Sequence, residues 1–451
     1  MTVTLERRLT TLSATLFGLS YICPTVVVST FGLIAQTTHG VSAASYLAAT
    51  FAIVLTAVSY GQMAKRYPQA GSAYTYVSRT THSTAGFMIG WVLMLDYFFI
   101  PMVICLFTAK AFEVLLPAVS FRPWVVLVAA FTTVANILGI KVADRVNLTI
   151  MAVQLAAMGA LGVTCAHYVL TTGQGLAAGQ GATLWSALPF LNSQTTMLAV
   201  MAGASVASYS FLGFDAVTTL SEETLDPTRT IPRATLLSPA IAGVLFTASA
   251  YLFTLVHPSL SFKDVDNAGF EILRIAGGRQ FLVPFTSVLI ASYMAAALVA
   301  QAGSSRLLYA MGRDGVLPQR VFGYLHPRWR TPLVAILLMG VVMLAGEWID
   351  VETAAACVNF GAFSAFFAVN ACVLLDHFGW PMGPPGAREL GGGVGKVLAA
   401  AGGAVGSLWL LASLGRTAHV VGVLWLLVGL AYTVWRTRAF RVPLPSASAE
   451  P

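Results

Sequence analysis

The sequence predicts an all-α integral membrane protein with twelve transmembrane helices. The first ten form a five-plus-five inverted repeat with broken helices 1 and 6, and two C-terminal helices follow. Of the 451 residues, 57% are hydrophobic and only 10% are charged, whereas a soluble domain carries about 25% charged residues. Long apolar runs recur along the whole chain, and the first and sixth contain helix-breaking residues. A soluble enzyme with a large core would leave these runs unexplained.

Twelve apolar runs have about the length that a membrane-crossing helix needs. They occupy 12–35, 44–64, 84–116, 122–140, 146–170, 196–221, 234–256, 281–305, 333–348, 353–376, 396–415 and 418–435. The predicted organisation is a cytoplasmic N-terminus (1–11), a first inverted repeat (12–171), a second inverted repeat (196–376), two further helices (396–436) and a cytoplasmic tail (437–451).

The basic residues indicate the orientation of the chain. Nineteen of the 25 Lys and Arg residues fall in segments on the same side as the N-terminus, five fall on the opposite side, and Lys110 lies within a span. Cytoplasmic loops carry the excess of Lys and Arg in membrane proteins. We therefore expect a multi-pass protein in a lipid bilayer with both termini cytoplasmic. The net charge of +7 is then a topology signal, and no nucleic-acid partner is predicted.

Two spans carry residues that interrupt a helix. Pro24 in span 1 removes a backbone donor and weakens the helix near Ser20 to Ile22, and Gly213 lies between aromatic residues in span 6. Single Gly and Pro residues are common in membrane helices. The interruptions at Pro24 and Gly213 are more informative together, because they lie in spans 1 and 6, which are matched positions of two five-helix halves. Broken helices at such positions form the substrate site of inverted-repeat transporters.

Few ionisable residues lie inside the spans. Lys110 and Glu113 are three residues apart near the outer end of span 3, where we expect them to pair and snorkel. Asp96 lies about 15 Å from the cytoplasmic end of the same span, at 1.5 Å per residue. Asp215 follows Gly213 in span 6. Acids at such depth mark substrate or proton pathways.

Aromatic residues near these acids complete the pattern of a cation site. Carboxylates supply the opposite charge, and aromatic faces attract cations by about 2 kcal/mol when desolvated. Each single aromatic is better explained as helix packing than as a ligand contact, because Phe, Trp and Tyr make up 11% of the chain. The aromatic candidates are Tyr21, Trp91, Tyr97, Tyr209, Phe211, Phe214 and Tyr293.

Catalytic and metal-binding patterns are missing from the sequence. The seven His residues lack HExxH spacing, the five Cys residues lack CxxC spacing, and no phosphate-binding glycine motif follows a strand pattern. We therefore predict no enzyme, no cofactor and no metal. A membrane sensor remains an alternative, although it needs no broken helices.

Four loop motifs resemble the cytoplasmic signatures of the amino acid–polyamine–organocation superfamily. They are KRYPQAGSAYTY (65–76), SEETLDPTRTIPRA (221–234), SRLLYAMGRDGVLP (305–318) and HPRWRTP (326–332). Within the superfamily, the stretches FLGFDAVTTLSEET and MLDYFF are most similar to bacterial putrescine importers. The resemblance implies the inverted-repeat fold around a central site, in the bacterial inner membrane, and uptake coupled to the proton gradient.

The resemblance also implies roles for single positions. Amino-acid-transporting members bind the substrate carboxylate at a Gly-Ser-Gly break in span 1, and this chain has Thr25-Val26-Val27 there, after Pro24. The missing glycines favour an amine without a carboxylate. Asp215 is the first choice for the ammonium partner. Gln154 occupies the span 5 position where many proton-coupled members have a lysine, so that role is not inherited.

Together, the residues and the resemblance predict a substrate site and a coupling site. The predicted substrate-binding residues are Asp215, Tyr209, Phe211, Gly213, Tyr21, Pro24, Thr25, Asp96, Trp91, Tyr97, Tyr293 and Gln301. The predicted coupling residues are Asp215, Asp96 and Gln154.

The resulting functional prediction is a secondary active transporter. It imports a small organic cation, putrescine or a related polyamine, coupled to the proton gradient by alternating access. The alternative is a proton-coupled permease for cationic or small neutral amino acids.

Overall fold

A computed structural model describes most of the chain. The described residues are 9–68, 72–139, 144–172, 184–191, 193, 195–222, 224–258, 262–313, 315, 317–378 and 393–437. The predicted tail beyond residue 437, most of the N-terminal segment and the Gly/Pro-rich connection at 379–392 lie outside the described residues.

The described part of the chain is helical and contains no strand. Apolar runs give helices because a backbone inside a bilayer must satisfy its own hydrogen bonds. The first eight helices are α1 (Thr11–Ile22), α2 (Val27–Thr38), α3 (Ser42–Arg66), α4 (Ser72–Thr80), α5 (Ser83–Leu115), α6 (Phe121–Ile137), α7 (Asp144–Thr172) and α8 (Met197–Ala207). The others are α9 (Pro227–Val256), α10 (Ala268–Arg313), α11 (Gln319–Phe322), α12 (Leu333–Ala345), α13 (Val351–His377), α14 (Val394–Ala412) and α15 (Arg416–Arg436).

Ten helical segments of the described residues are long and apolar enough to cross a membrane. Two further apolar segments, Phe121–Ile137 and Leu333–Trp348, are shorter. These segments fall at the twelve predicted spans, and the count of twelve crossing helices stays a prediction. The backbone of α10 is non-helical at Gly278, where φ is 65° and ψ is −170°. The residues 268–277 therefore form a helical segment of their own, and the helix after Gly278 begins close to the predicted start of the eighth span at 281.

The first span is broken where Cys23 adopts a left-handed backbone conformation, with φ 57°. Pro24 follows without an N–H to continue the helix and begins a 3-10 turn over Pro24–Val26, after which α2 starts. The break lies just beyond the predicted position. α1 and α2 are therefore two half-helices of one span.

The sixth span is broken over a longer stretch. α8 ends at Ala207, a 3-10 turn covers Ser208–Phe211, and Leu212 is extended. Gly213 has φ 99°, which favours a residue without Cβ. The half-helix that follows, Phe214–Glu222, is a 3-10 helix. Both predicted breaks are confirmed.

The helices around the breaks form the core of the bundle. α3 packs along α9, and α5 packs between α10 and α13. α1 packs against the 3-10 helix Phe214–Glu222, and α2 packs against α8. α14 and α15 lie on the outside of this core, against α3, α5 and α13.

Ion pairs mark both ends of the bundle. At the end predicted to be cytoplasmic, Arg66 of α3 pairs with Asp376 of α13, and both side chains are largely buried. At the other end, Lys110 lies 3.9 Å from Glu113, as predicted, and 3.7 Å from Asp264. The sequence did not indicate that Asp376 and Asp264 have these partners.

Candidate functional site

The two helix breaks touch each other. A Cβ added at Gly213 would overlap the ring of Tyr21 on α1, so this close approach requires glycine. Deeper along the same interface, the Thr30 hydroxyl lies 3.3 Å from the Ser210 hydroxyl and 2.7 Å from the Tyr46 hydroxyl. The hydroxyls of Thr30 in span 1 and Ser210 in span 6 thus hydrogen-bond to each other across the two breaks.

Asp215 is the second residue of the 3-10 helix Phe214–Glu222 and is only 7% exposed. Its carboxylate accepts a hydrogen bond of 3.2 Å from the Ser72 hydroxyl, which belongs to α4. A buried carboxylate is costly unless it is hydrogen-bonded or paired with a positive charge. The Oδ2 atom of Asp215 therefore has a hydrogen-bond partner, the Ser72 hydroxyl.

Asp96 comes from α5, on the other side of the breaks, and is also 7% exposed. Its Oδ1 is buried, and no hydrogen-bond donor of the described residues reaches it. Gly361 of α13 packs directly against the backbone of Asp96, which fixes its depth. Asp96 therefore has an unsatisfied acceptor inside the bundle.

The two acids line one small cavity. Its lining consists of Tyr21, Asp96, Tyr97, Ile100, Gly213, Asp215, Ala216 and Ser304. None of these residues is Lys or Arg. The cavity volume is about 10 Å³, which is the room for about one water molecule. We call it the acidic cavity.

A second cavity lies beside the acidic cavity and shares Tyr21 and Ile100 with it. Its volume is about 30 Å³, and its lining is Tyr21, Ile22, Cys23, Val26, Ile100, Ile104, Phe107, Tyr209, Leu212, Tyr293 and Ala296. The ring of Phe107 lies 5.9 Å from that of Tyr209 and 6.0 Å from that of Tyr293. We call it the aromatic cavity.

The structure brings together seven of the twelve predicted substrate-binding residues in these two cavities. They are Tyr21, Asp96, Tyr97, Tyr209, Gly213, Asp215 and Tyr293. Pro24 and Thr25 belong to the span 1 break but line neither cavity, and the Thr25 hydroxyl lies 3.4 Å from the Cys23 thiol.

Other predicted residues lie elsewhere in the bundle. Phe211 packs edge-on against Phe246, with ring centroids 5.1 Å apart. Trp91 and Trp425 of α15 stack, and each indole N–H donates to the other's backbone carbonyl, at 2.8 and 2.7 Å. Trp91 thus holds α15 to α5, away from both cavities.

Two predicted glutamines also lie away from the cavities. Gln301 accepts a hydrogen bond of 3.0 Å from Asn136 and donates one of 2.9 Å to Thr133, so it connects α10 to α6. Gln154 is buried in α7 and lines neither cavity.

Sequence reasoning missed several cavity residues. Ser304 lines the acidic cavity and donates a 2.5 Å hydrogen bond to the Tyr97 carbonyl. Phe107 and Ile100 lie on α5, three and one helical turns from Asp96. The helical spacing of Ile100 and Phe107 from Asp96 was the available signal, whereas nothing local marks Ser304.

Among the described residues, no group of three or more His, Cys, Asp or Glu side chains is arranged to hold a metal ion. The five cysteines are free and buried. Within the described part of the chain, Asp96 and Asp215 are therefore not joined by a third His, Cys, Asp or Glu side chain that could complete a metal site.

Comparison with known proteins gives a consistent result. The sequence model of the amino acid permease family matches residues 14–380. The chain is 36% identical to the low-affinity putrescine importer PlaP of Escherichia coli, over 98% of this chain and 96% of that protein. It is 27% identical to the branched-chain amino acid permease BcaP of Bacillus subtilis, over 82% and 81%. It is 28% identical to a methylthioribose transporter of Bacillus subtilis, with the same coverage.

Proposed function

This chain belongs to the amino acid permease family, and we propose that it imports putrescine or a related polyamine across the bacterial inner membrane. Its family and its relatives are transporters and not enzymes. The similarity to a putrescine importer extends over 98% of the chain. The substrate is therefore a small organic cation.

The observation that carries the proposal is the acidic cavity. Two buried carboxylates line it, no basic residue among its lining residues neutralises them, and Asp96 Oδ1 has no donor among the described residues. A buried negative charge needs a positive partner. An ammonium group supplies both the charge and three hydrogen-bond donors, and it fits between Asp96 and Asp215.

The aromatic cavity suits the other end of a diamine. The methylene chain passes Tyr21 and Ile100, which both cavities share, and the second ammonium lies near Tyr209, Tyr293 and Phe107. Cation–π attraction is worth about 2 kcal/mol at such desolvated sites. Both cavities are smaller than a diamine, so binding requires Tyr21 to move.

Proton coupling and alternating access complete the proposed mechanism. Two carboxylates in one cavity repel each other, and either an ammonium or a proton relieves that repulsion. Asp96 and Asp215 are thus the residues for coupling. The half-helices at Cys23 and Gly213 then move to open the site to the cytoplasm.

The second candidate function is a proton-coupled amino-acid permease, which the similarity to BcaP favours. An amino acid brings a carboxylate, which needs backbone N–H groups at the span 1 break. No glycine lies between Gly18 and Gly32, and Thr25 lines neither cavity. The chemistry of the site therefore favours an amine without a carboxylate.

Competition for uptake separates these functions. Purified protein in liposomes with an inward proton gradient takes up labelled putrescine, in competition with unlabelled putrescine, cadaverine, lysine, ornithine, arginine and alanine. We expect diamines to compete and alanine not to compete. Stronger competition by any amino acid than by diamines would favour the permease, and binding without accumulation would favour a sensor.

A further inference from the structure

Ser72 is a buried residue with an unusual backbone conformation beside the acidic cavity. Its φ is 49°, in the left-handed region that residues with a Cβ seldom adopt, and its side chain is 3% exposed. Its hydroxyl donates to Asp215 Oδ2 at 3.2 Å. Such a conformation persists where surrounding contacts hold it in place.

The same face of α4 is also connected to the broken span through Tyr60 of α3. Tyr76 lies one turn after Ser72, and its ring is 6.1 Å from the ring of Tyr60. The ring of Tyr60 in turn lies 5.5 Å from that of Phe214, the residue before Asp215. α4 is therefore seated on the start of the 3-10 helix, and Ser72 is its polar contact there.

We propose that the Ser72 hydroxyl links Asp215 to α4, holding α4 against the broken span while Asp215 has no cation and releasing α4 when an ammonium binds. This inference rests on the proposed function, since it takes Asp215 as the ammonium partner. A hydroxyl bonds most strongly to a carboxylate that keeps its full negative charge. An ammonium on Asp215 reduces that charge and competes for the same oxygens.

Ser72 is thus a positioning residue that transmits occupancy of the site to α4. α4 lies between α3 and α5, at the end of the bundle predicted to be cytoplasmic. Release of α4 is then an early step in opening that end.

A native cysteine reports on the position of α4. The Cys372 side chain of α13 is 2% exposed and contacts Thr80 at the last turn of α4. Movement of α4 away from α13 uncovers this thiol. Cys105 of α5 is 0% exposed and packs toward α6, so it serves as an internal reference.

The test measures alkylation of Cys372 and Cys105 by N-ethylmaleimide, residue by residue, by mass spectrometry. The full chain in lipid nanodiscs exposes both faces to the reagent, so the result does not depend on orientation. Three variants are compared with wild type: Ser72→Ala, Ser72→Gly and the control Ser78→Ala. Ser72→Ala removes only the hydroxyl, whereas Ser72→Gly removes the whole hydroxymethyl group and readily accepts the positive φ of this position. Ser78 lies on α4 but packs against Gly86 of α5.

We expect putrescine to accelerate alkylation of Cys372 in wild type and in Ser78→Ala. Without putrescine, Ser72→Ala and Ser72→Gly should react about tenfold faster than wild type, since hydrogen bonds to charged groups are the stronger class. In the two Ser72 variants, putrescine should then increase the rate of Cys372 alkylation only slightly. Cys105 should stay unreactive in every variant.

Two results would overturn the inference. The first is alkylation of Cys372 at the wild-type rate in both Ser72 variants. The second is faster alkylation of Cys105 together with Cys372, because that would mean that the whole helix bundle has loosened. The proposed function fails separately. If putrescine leaves wild type unchanged while the Ser72 variants react faster, the link to α4 stands and putrescine is the wrong ligand.

Discussion

Replacing Gly213 by alanine tests whether the two breaks are built around one close contact. The new methyl group would overlap the ring of Tyr21 from the opposite span. It would also place a Cβ on a residue with φ 99°. The substitution therefore acts through two separate physical terms.

The magnitude of each term can be worked out. A residue with a Cβ in the left-handed region costs about 1–2 kcal/mol, and overpacking of a closed contact costs about 1–3 kcal/mol. We expect Gly213→Ala to lower the free energy of unfolding by about 2–5 kcal/mol. Combined with Tyr21→Ala, which removes the overlap, the same substitution should cost only the first term.

Unfolding of purified variants in mixed detergent micelles measures these differences. Gly303→Ala on α10 is the matched control, because its nearest neighbour is a Tyr97 ring atom at 3.9 Å. We expect that variant to equal wild type or to gain up to about 1 kcal/mol of helix propensity. If Gly213→Ala is as harmless as Gly303→Ala, or if Tyr21→Ala relieves nothing, the described contact between the breaks is wrong.

Three further predictions concern residues outside the cavities. Arg66→Ala leaves Asp376 as an unpaired buried charge, so the free energy of unfolding should fall by about 3–5 kcal/mol; a loss below about 1 kcal/mol in micelle unfolding would contradict this pairing. Trp91→Phe removes one of two reciprocal hydrogen bonds to α15, so thermal unfolding should begin earlier while the KM for putrescine stays within about twofold of wild type; a KM raised tenfold would return Trp91 to the substrate site. Gln301→Leu leaves the side-chain partners of the amide unpaired, which costs about 1–3 kcal/mol; unchanged stability with altered substrate preference would show that Gln301 is a binding residue.

Much of the fold could be predicted from the sequence. Apolar runs mark membrane helices because length and composition decide them, and the breaks at Pro24 and Gly213 follow from the backbone chemistry of those two residues. The helical segment 268–277, which precedes the non-helical Gly278, was not predicted, because its charged residues Glu271 and Arg274 made it resemble a loop. Local composition cannot distinguish a short charged helix from a connection.

The candidate site was predicted less completely, for a physical reason. Asp96 and Asp215 stand out because charge is rare in a span, and the structure places both in one cavity. Trp91 and Tyr209 are both aromatic residues near the predicted site, so the sequence does not distinguish them. In the structure Trp91 packs against Trp425 of α15, whereas Tyr209 lines the aromatic cavity. Ser304 carries no signal for a site in the sequence, and Ser72 lies in the signature 65–76 without anything that indicates its contact with Asp215, since both roles depend on contacts between distant segments.

Uptake by Asp215→Asn tests the central claim most directly. The claim is that the Asp215 carboxylate binds the ammonium of a polyamine inside the bundle. Losing one partner of a buried charge pair costs at least about 2 kcal/mol, so uptake at putrescine concentrations below KM should fall at least about 30-fold. The measurement is the initial rate of labelled putrescine uptake into liposomes, at equal amounts of folded protein. Loss of uptake with unchanged thermal unfolding is the predicted result, and uptake close to that of wild type would contradict the claim.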